Sequence, residues 1–305
     1  AVAWNDYPHG DVEQYRVAAE SFAERGDFLI ETVTDRPHFY SLEEKGGRFL
    51  EHNPLWALLG SIGVLIGNFS GYESLQWISL MLGILLMIGV YRLGKEMGGE
   101  SMGLFALVLV ALSYPLIDYS GNGSFYILQA CLYVAFIKHL MRRASFRNHI
   151  VLGIIMGFGL LLNQQNIAMC FAYISYVLLS EERKTTPWFR YMFTAFGVVV
   201  LLYLPWGIRN YFFFGSPLYS IDMTYVWDKL GIPRMIEGNI ISYSLSLKSL
   251  FLLGKQIITF WIPHNLYFIH RKLFILLPVA YFSIFFFLVQ VWEKDIREKI
   301  DMKWI

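Results

Sequence analysis

Between Leu75 and Trp206 the chain is a succession of apolar runs separated by short polar joints, and this pattern restricts its possible folds more than any other feature. The runs are Leu75–Leu93, Ser101–Ile117, Phe125–Met141, Ile150–Leu162, Ile167–Ser180 and Tyr191–Trp206. About 20 apolar residues cross the hydrocarbon of a bilayer as a helix, and shorter runs do so by borrowing flanking residues. With 56% of its 305 residues hydrophobic and 16% charged, the chain is too apolar for an ordinary soluble domain. The expectation is an all-α polytopic membrane helical bundle with about six spans in this stretch. A net charge of +1 gives no sign of a nucleic-acid partner. The two cysteines, Cys131 and Cys170, lie inside apolar runs and offer no disulfide or zinc framework.

Charge divides the chain into four regions: 1–74, 75–206, 207–272 and 273–305. Residues 1–53 are polar and acidic, and an apolar segment, Pro54–Phe69, follows them. Residues 207–272 mix aromatics with scattered charges, and a last apolar run, Leu273–Trp292, precedes a charged tail. The opening in a polar segment and the stop soon after a span lead to the expectation of a fragment of a longer protein.

Cytoplasmic loops of membrane proteins are rich in Lys and Arg. Arg92 and Lys95 follow the first run, Lys138, Arg142, Arg143 and Arg147 the third, and Arg183, Lys184 and Arg190 the fifth. The joints Asp118–Ser124 and Asn163–Asn166 contain neither Lys nor Arg. This alternation holds if 75–93 runs inward and 54–69 is a juxtamembrane helix rather than a span. Residues 1–74, the two joints without basic residues and 207–272 are then expected outside. Lys294, Arg297, Lys299 and Lys303 place the tail inside, although Arg271 and Lys272 oppose that bias.

Four polar segments therefore converge on one face. The first is His9–Tyr15, which leads into an amphipathic helix through Tyr15, Ala18, Ala19, Phe22 and Ala23 that Gly26 can end. Asp11 falls near its N-terminus, where the macrodipole favours a carboxylate and where an N-cap role is equally open. The others are Glu51–Leu55, Tyr114–Ser124 with Asp118 and Tyr119, and Pro205–Tyr211 with Arg209 and Asn210. An arginine just past a span on the outer face is a candidate anion ligand, and interfacial snorkelling is the competing role.

Five patterns occur in this order: DxxxY at Asp11–Tyr15, HxPL at His52–Leu55, YRLG at Tyr91–Gly94, a proline followed by Tyr-Ser at Pro115–Ser120, and PWxxRNYxxFGSP at Pro205–Pro217. Together they resemble the GT-C membrane glycosyltransferases, glycosyltransferase family 39-like, in the branch of protein O-mannosyltransferases and aminoarabinose transferases. The resemblance implies a GT-C-like fold with juxtamembrane helices in the first outer loop. It also implies inverting transfer of a hexosyl or pentosyl group from a polyprenyl-phosphate-linked sugar donor to a lipid, glycan or protein acceptor. The localisation implied is a prokaryotic cytoplasmic membrane with the active site facing outward.

By that resemblance Asp11 is the catalytic base or acceptor-orienting group, and Arg209 the ligand of the donor phosphate. Glu13, Tyr15, His52, Asp118, Tyr119 and Asn210 are the other candidate substrate-binding residues. No cofactor is certain. A divalent metal is conceivable, with Glu51, His52 and His264 as candidate ligands, none of them paired at helical i, i+4 spacing. Two departures stand out. Val12 takes the place where relatives carry a second acid, with Glu13 one residue later, and Gly121–Ser124 occupy positions where relatives often carry an acid or arginine. A transporter or flippase, or a non-catalytic subunit with the same fold, is the alternative. The near absence of ionisable groups inside the spans speaks against transport.

Overall fold

The computed structural model describes residues 10–28, 53–142, 145–179, 188–214, 217, 234–237 and 240–243. Eight α-helices occur among them: α1 (Gly10–Arg25), α2 (Leu55–Gly67), α3 (Gly71–Ala111), α4 (Tyr114–Gly121), α5 (Tyr126–Leu140), α6 (Phe146–Leu162), α7 (Ile167–Leu179) and α8 (Trp188–Phe214). A 3-10 turn, Gln164–Asn166, joins α6 to α7. The chain divides into two compact units, Ala1–Lys229 with Pro233–Tyr243, and Leu230–Ile232 with Ser244–Ile305. The eight described helices all belong to the first. The expected last span and tail lie outside the described residues.

The all-α membrane architecture holds, but the spans are cut differently from the expectation. Two helices, α3 and α8, are long and apolar enough to cross a membrane, and α4 with α5 makes a third if the pair, bent by 119°, counts as one span. Only 33% and 28% of the most apolar windows of α3 and α8 are buried. Leu85, Leu104, Val108, Val200 and Leu201 point outward, which is favourable only where lipid surrounds the bundle.

Local chemistry explains the breaks. Ser70 caps α3, its Oγ accepting from Glu73 N while Glu73 Oε2 accepts from Ser70 N. Gly98 and Gly99 interrupt the helix, Gly99 with a φ of 82°, so α3 folds back as two arms. The arms approach closely because Gly94 and Gly103 carry no side chain: a Cβ on Gly103 would lie 2.8 Å from Tyr91 O. The second arm stops at Ala111 instead of the expected Ile117. Ser113 is extended, and Pro115 then sits at the start of α4. Asp118 and Tyr119, expected in a joint, consequently lie within a helix. At the other boundary α8 runs through Pro205 to Phe214, so Arg209 and Asn210 are helical rather than beyond a span.

The joints sort to two ends. At one, Lys138 Nζ meets Glu96 Oε1 at 2.7 Å, Lys95 pairs with Glu100, and Arg190 lies over the Phe146 ring. At the other, α1, the 121–125 joint, the 163–166 joint and the last turns of α8 gather. Basic and non-basic joints thus alternate in space as they do in sequence. A two-stranded antiparallel hairpin, β1 (Arg234–Glu237) with β2 (Ile240–Tyr243), lies in the segment expected to hold a loop and interfacial helices.

The contact between α6 and α8 depends on Gly153 and Gly157, one helical turn apart. A Cβ on Gly153 would stand 2.5 Å from Ala195 O and 2.9 Å from Val198 Cβ. Gly153→Ala is expected to force the helices apart and cost about 1–3 kcal/mol, read as a lower unfolding temperature in detergent.

Candidate functional site

The first element of the site is α1, laid against the ends of three others. Val12, Tyr15, Ala18 and Ala19 are buried, and the Tyr15 ring meets Phe125 with centroids 5.8 Å apart. Arg16 binds Glu13 at 2.5 Å and Glu20 at 2.6 Å. The Glu13 hydrogen bond and the Glu20 charge raise the guanidinium pKa above its ordinary value, against the opposing effect of burial. Glu20 Oε1 also accepts from Gly71 N at 2.8 Å, which ties α1 to the start of α3. Contact at this range needs glycine, since a Cβ on Gly71 would lie 2.7 Å from Arg16 O. As expected, α1 ends at Gly26, whose φ of 74° suits glycine and whose N–H closes on Phe22 O.

The joint after α4 is a second element. Residues 121–125 are all buried, and Gly123 has a φ of 77°. Three side chains satisfy its carbonyls. Trp56 Nε1 donates to Gly123 O at 2.9 Å, Gln76 Nε2 to Gly121 O at 3.1 Å, and Ser79 Oγ to Ser120 O at 3.1 Å. Asn122 Oδ1 accepts from Ser124 N, and its Nδ2 reaches Asp118 Oδ2 at 3.4 Å. The joint is thus a glycine turn fastened by neutral donors. The Tyr119 ring meets that of Tyr126 at a tilt of 39°, with centroids 5.0 Å apart.

The third element joins the ends of α6 and α8. Asn53, just before α2, donates to Leu160 O, and Asn166 donates to Gly159 O. Gln164 Nε2 reaches Tyr203 Oη at 3.3 Å, and Tyr203 donates in turn to Pro217 O. Nearly two turns further along α8, the Arg209 guanidinium lies 4.3 Å from the Trp206 ring centre, and its Nη1 donates to Asn210 Oδ1 at 3.0 Å. Trp206 meets Phe28 edge-on at 5.8 Å, and Phe28 stacks on Phe22. Contacts therefore run in a closed circuit from α1 through α2, α6 and α8 back to α1.

The predicted residues fall into two groups on this circuit. Asp11 is the second residue of α1, at the end nearest the 121–125 joint. Its side chain lies outside the described residues. Asp118 and Tyr119 stand on α4 beside the same joint. Tyr15 is 2% exposed and packs, and Glu13 is engaged by Arg16. Arg209 and Asn210 belong to the second group, where the far end of α1 meets α8. Asp11 and Phe22 are separated by about 16 Å of helix axis. Glu51, His52 and His264 lie outside the described residues. Among the described residues no three His, Cys, Asp or Glu side chains gather as a metal site.

Asn53, Trp56, Gln76, Gln164, Asn166 and Trp206 hold the site together although none is a candidate from the motifs. The available signal was polarity where none was needed: Gln76 inside an apolar run, and four amides in a row at Asn163–Asn166. A buried polar group costs about 1–3 kcal/mol when unpaired, so residues of this kind in membrane segments have partners to find.

The chain matches the family described as dolichyl-phosphate-mannose-protein mannosyltransferase over residues 51–208. No curated protein matches it. Among solved structures it resembles an oligosaccharyltransferase of Archaeoglobus fulgidus in complex with zinc and sulfate, at 16% identity and a TM-score of 0.50, over 85% of this chain and 35% of that one. It also resembles AglB, an oligosaccharyltransferase of the same organism in complex with an inhibitory peptide and a dolichol-phosphate, at 18% identity and a TM-score of 0.52, over 89% and 35%. The chain thus spans about a third of the length of these structures, and the likeness is one of fold.

Trp56→Phe removes the donor to Gly123 O and leaves that carbonyl buried and unpaired. The expected loss is about 1–3 kcal/mol, measured as reduced thermal stability of the purified protein.

Proposed function

The chain belongs to the dolichyl-phosphate-mannose-protein mannosyltransferase family, and on that premise we propose that it is an inverting glycosyltransferase using a polyprenyl-phosphate-linked hexose or pentose. The acceptor is a hydroxyl-bearing protein, glycan or lipid on the non-cytoplasmic face of a prokaryotic cytoplasmic membrane. The observation that carries the reading is Arg209, a cation held on the face of Trp206 at the end of α8 where the first extramembrane helix also arrives. The dolichol-phosphate bound to AglB of Archaeoglobus fulgidus supports the lipid class.

Asp11 acts as base. Its carboxylate takes the proton of the acceptor hydroxyl as that oxygen attacks the anomeric carbon. The bond from that carbon to the phosphate oxygen breaks on the opposite side, and its electron pair leaves with the phosphate. Arg209 stabilises the charge that develops there through charge-assisted hydrogen bonds. Inversion follows from attack opposite the leaving group. In-line transfer separates the base from the phosphate ligand by the acceptor oxygen, the anomeric carbon and the leaving oxygen, about 11 Å in all. Asp11 at the start of α1, and Arg209 on α8 near the aromatic contact of Phe28 beyond the other end of α1, accord with separated groups rather than groups in contact.

Asp118, Tyr119 and Asn210 are proposed to line the substrate path, and His52 to stand where α2 begins. Glu13 and Tyr15 serve the site by seating α1. For a divalent metal the sequence offers Glu51, His52 and His264 as separate candidate ligands, and no step here is assigned to one.

Asp11→Asn is expected to leave donor binding intact and to reduce transfer by about 100-fold or more, measured as sugar release from the lipid donor in membranes. Unchanged turnover removes Asp11 from the chemistry. Arg209→Ala is expected to weaken donor binding by about tenfold or more, measured by titration with polyprenyl phosphate, and unchanged affinity removes the phosphate role. A wild-type chain that binds the donor but never transfers its sugar would be a non-catalytic subunit, and one that moves the lipid across vesicles without transfer would be a flippase.

A further inference from the structure

Asn53 and Asn166 approach the last turn of α6 from two different elements. Asn53 Nδ2 donates to Leu160 O at 2.5 Å, and Asn166 Nδ2 donates to Gly159 O at 2.9 Å. Both partners are carbonyls, so only the amide NH2 edge can face them, and each Oδ1 is directed elsewhere. Asn53 is 4% exposed and Asn166 0%, yet neither Oδ1 receives a hydrogen bond. Neighbouring carbonyls on an α-helix differ by about 1.5 Å along the axis and about 100° around it, so the two side chains meet the same turn from adjacent sides. Buried side-chain acceptors without a donor are uncommon in folded proteins, and here two belong to a single helical turn.

The three parts of a lipid-linked sugar differ in what they offer such acceptors. The polyprenyl chain has no polar hydrogen. The ionised phosphate diester accepts hydrogen bonds and donates none. The sugar hydroxyls donate. We infer that Asn53 and Asn166 form a seat for hydroxyl groups of the sugar carried by the donor, an inference that rests on the glycosyltransferase reading above. The location agrees with the molecule's connectivity. Asn166 shares its short turn with Gln164, Gln164 bonds to Tyr203, and α8 continues from Tyr203 to Arg209. Phosphate at Arg209 and sugar at the asparagines are adjacent parts of one ligand. Both Oδ1 atoms are covered by protein in this structure, so a sugar hydroxyl reaches them only when the side chains around the end of α6 move aside on donor binding.

The test uses the full chain in lipid nanodiscs, titrated separately with dolichyl phosphate and dolichyl phosphate mannose. Asn53→Ala and Asn166→Ala are each expected to lose about tenfold in affinity for the mannose-bearing lipid, with affinity for the sugar-free lipid unchanged. Parallel weakening for both lipids would assign the asparagines to folding and overturn the inference. No weakening for either lipid overturns it as well, including the case in which only the acceptor KM rises and the hydroxyl belongs to the acceptor. A wild-type chain that binds the mannose-bearing lipid no more tightly than the sugar-free one leaves the seat without a function and also overturns it. A wild-type chain that binds neither lipid fails at the earlier step, the donor reading itself, whatever the asparagine variants do.

Discussion

Where the helical ladder stops among apolar side chains, backbone carbonyls lose their intrahelical donors and must find others, because lipid supplies none. The break between α4 and α5 is the place where this chain meets that demand most fully. Trp56, Gln76 and Ser79 donate to Gly123, Gly121 and Ser120. These three donors come from α2 and the first arm of α3, so satisfying the break also fixes the positions of both helices. Much of the site follows from this. Trp56 holds the first turn of α2, Asn53 stands one turn earlier, and Phe125 beyond the break receives Tyr15 of α1.

A second constraint acts at α1. Its acidic and basic side chains would be costly beside an apolar bundle unless paired, and Arg16 is held between Glu13 and Glu20. Glu20 extends that pairing to the N–H of Gly71. The helix is thereby held across the bundle end through backbone and charge together, and its two ends reach different partners. One end lies beside the α4–α5 joint, and Phe28 beyond the other meets Trp206.

Much of this was legible in the residues. Run length and sparse charge announced a membrane bundle, and the alternation of basic joints with Asp118–Ser124 and Asn163–Asn166 predicted which joints share an end. Gly26 as a helix stop and Pro54–Phe69 as a short separate helix could be read from local chemistry. The extent of α8 past Trp206, the stop at Ala111 and the fold-back at Gly98 and Gly99 were not read, because helix ends among apolar residues depend on where neighbours offer partners. Tyr15 and Glu13 looked like site residues since polar groups near a motif carry no mark of burial. Their packing and pairing with Phe125 and Arg16 became visible only with the fold.

What the sequence determined alone is the solvent: hydrophobic runs of this length and number are stable as helices in lipid, whatever their order of contact. It also determined which joints share a side, since the distribution of Lys and Arg is a property of the chain rather than of its packing. Which carboxamide meets which carbonyl was decided by the tertiary structure. Asn53 and Asn166 are more than a hundred residues apart, and each could bond to many groups. Only the meeting of α2 with the end of α6 brings both to one turn and leaves two oxygen atoms waiting for a donor.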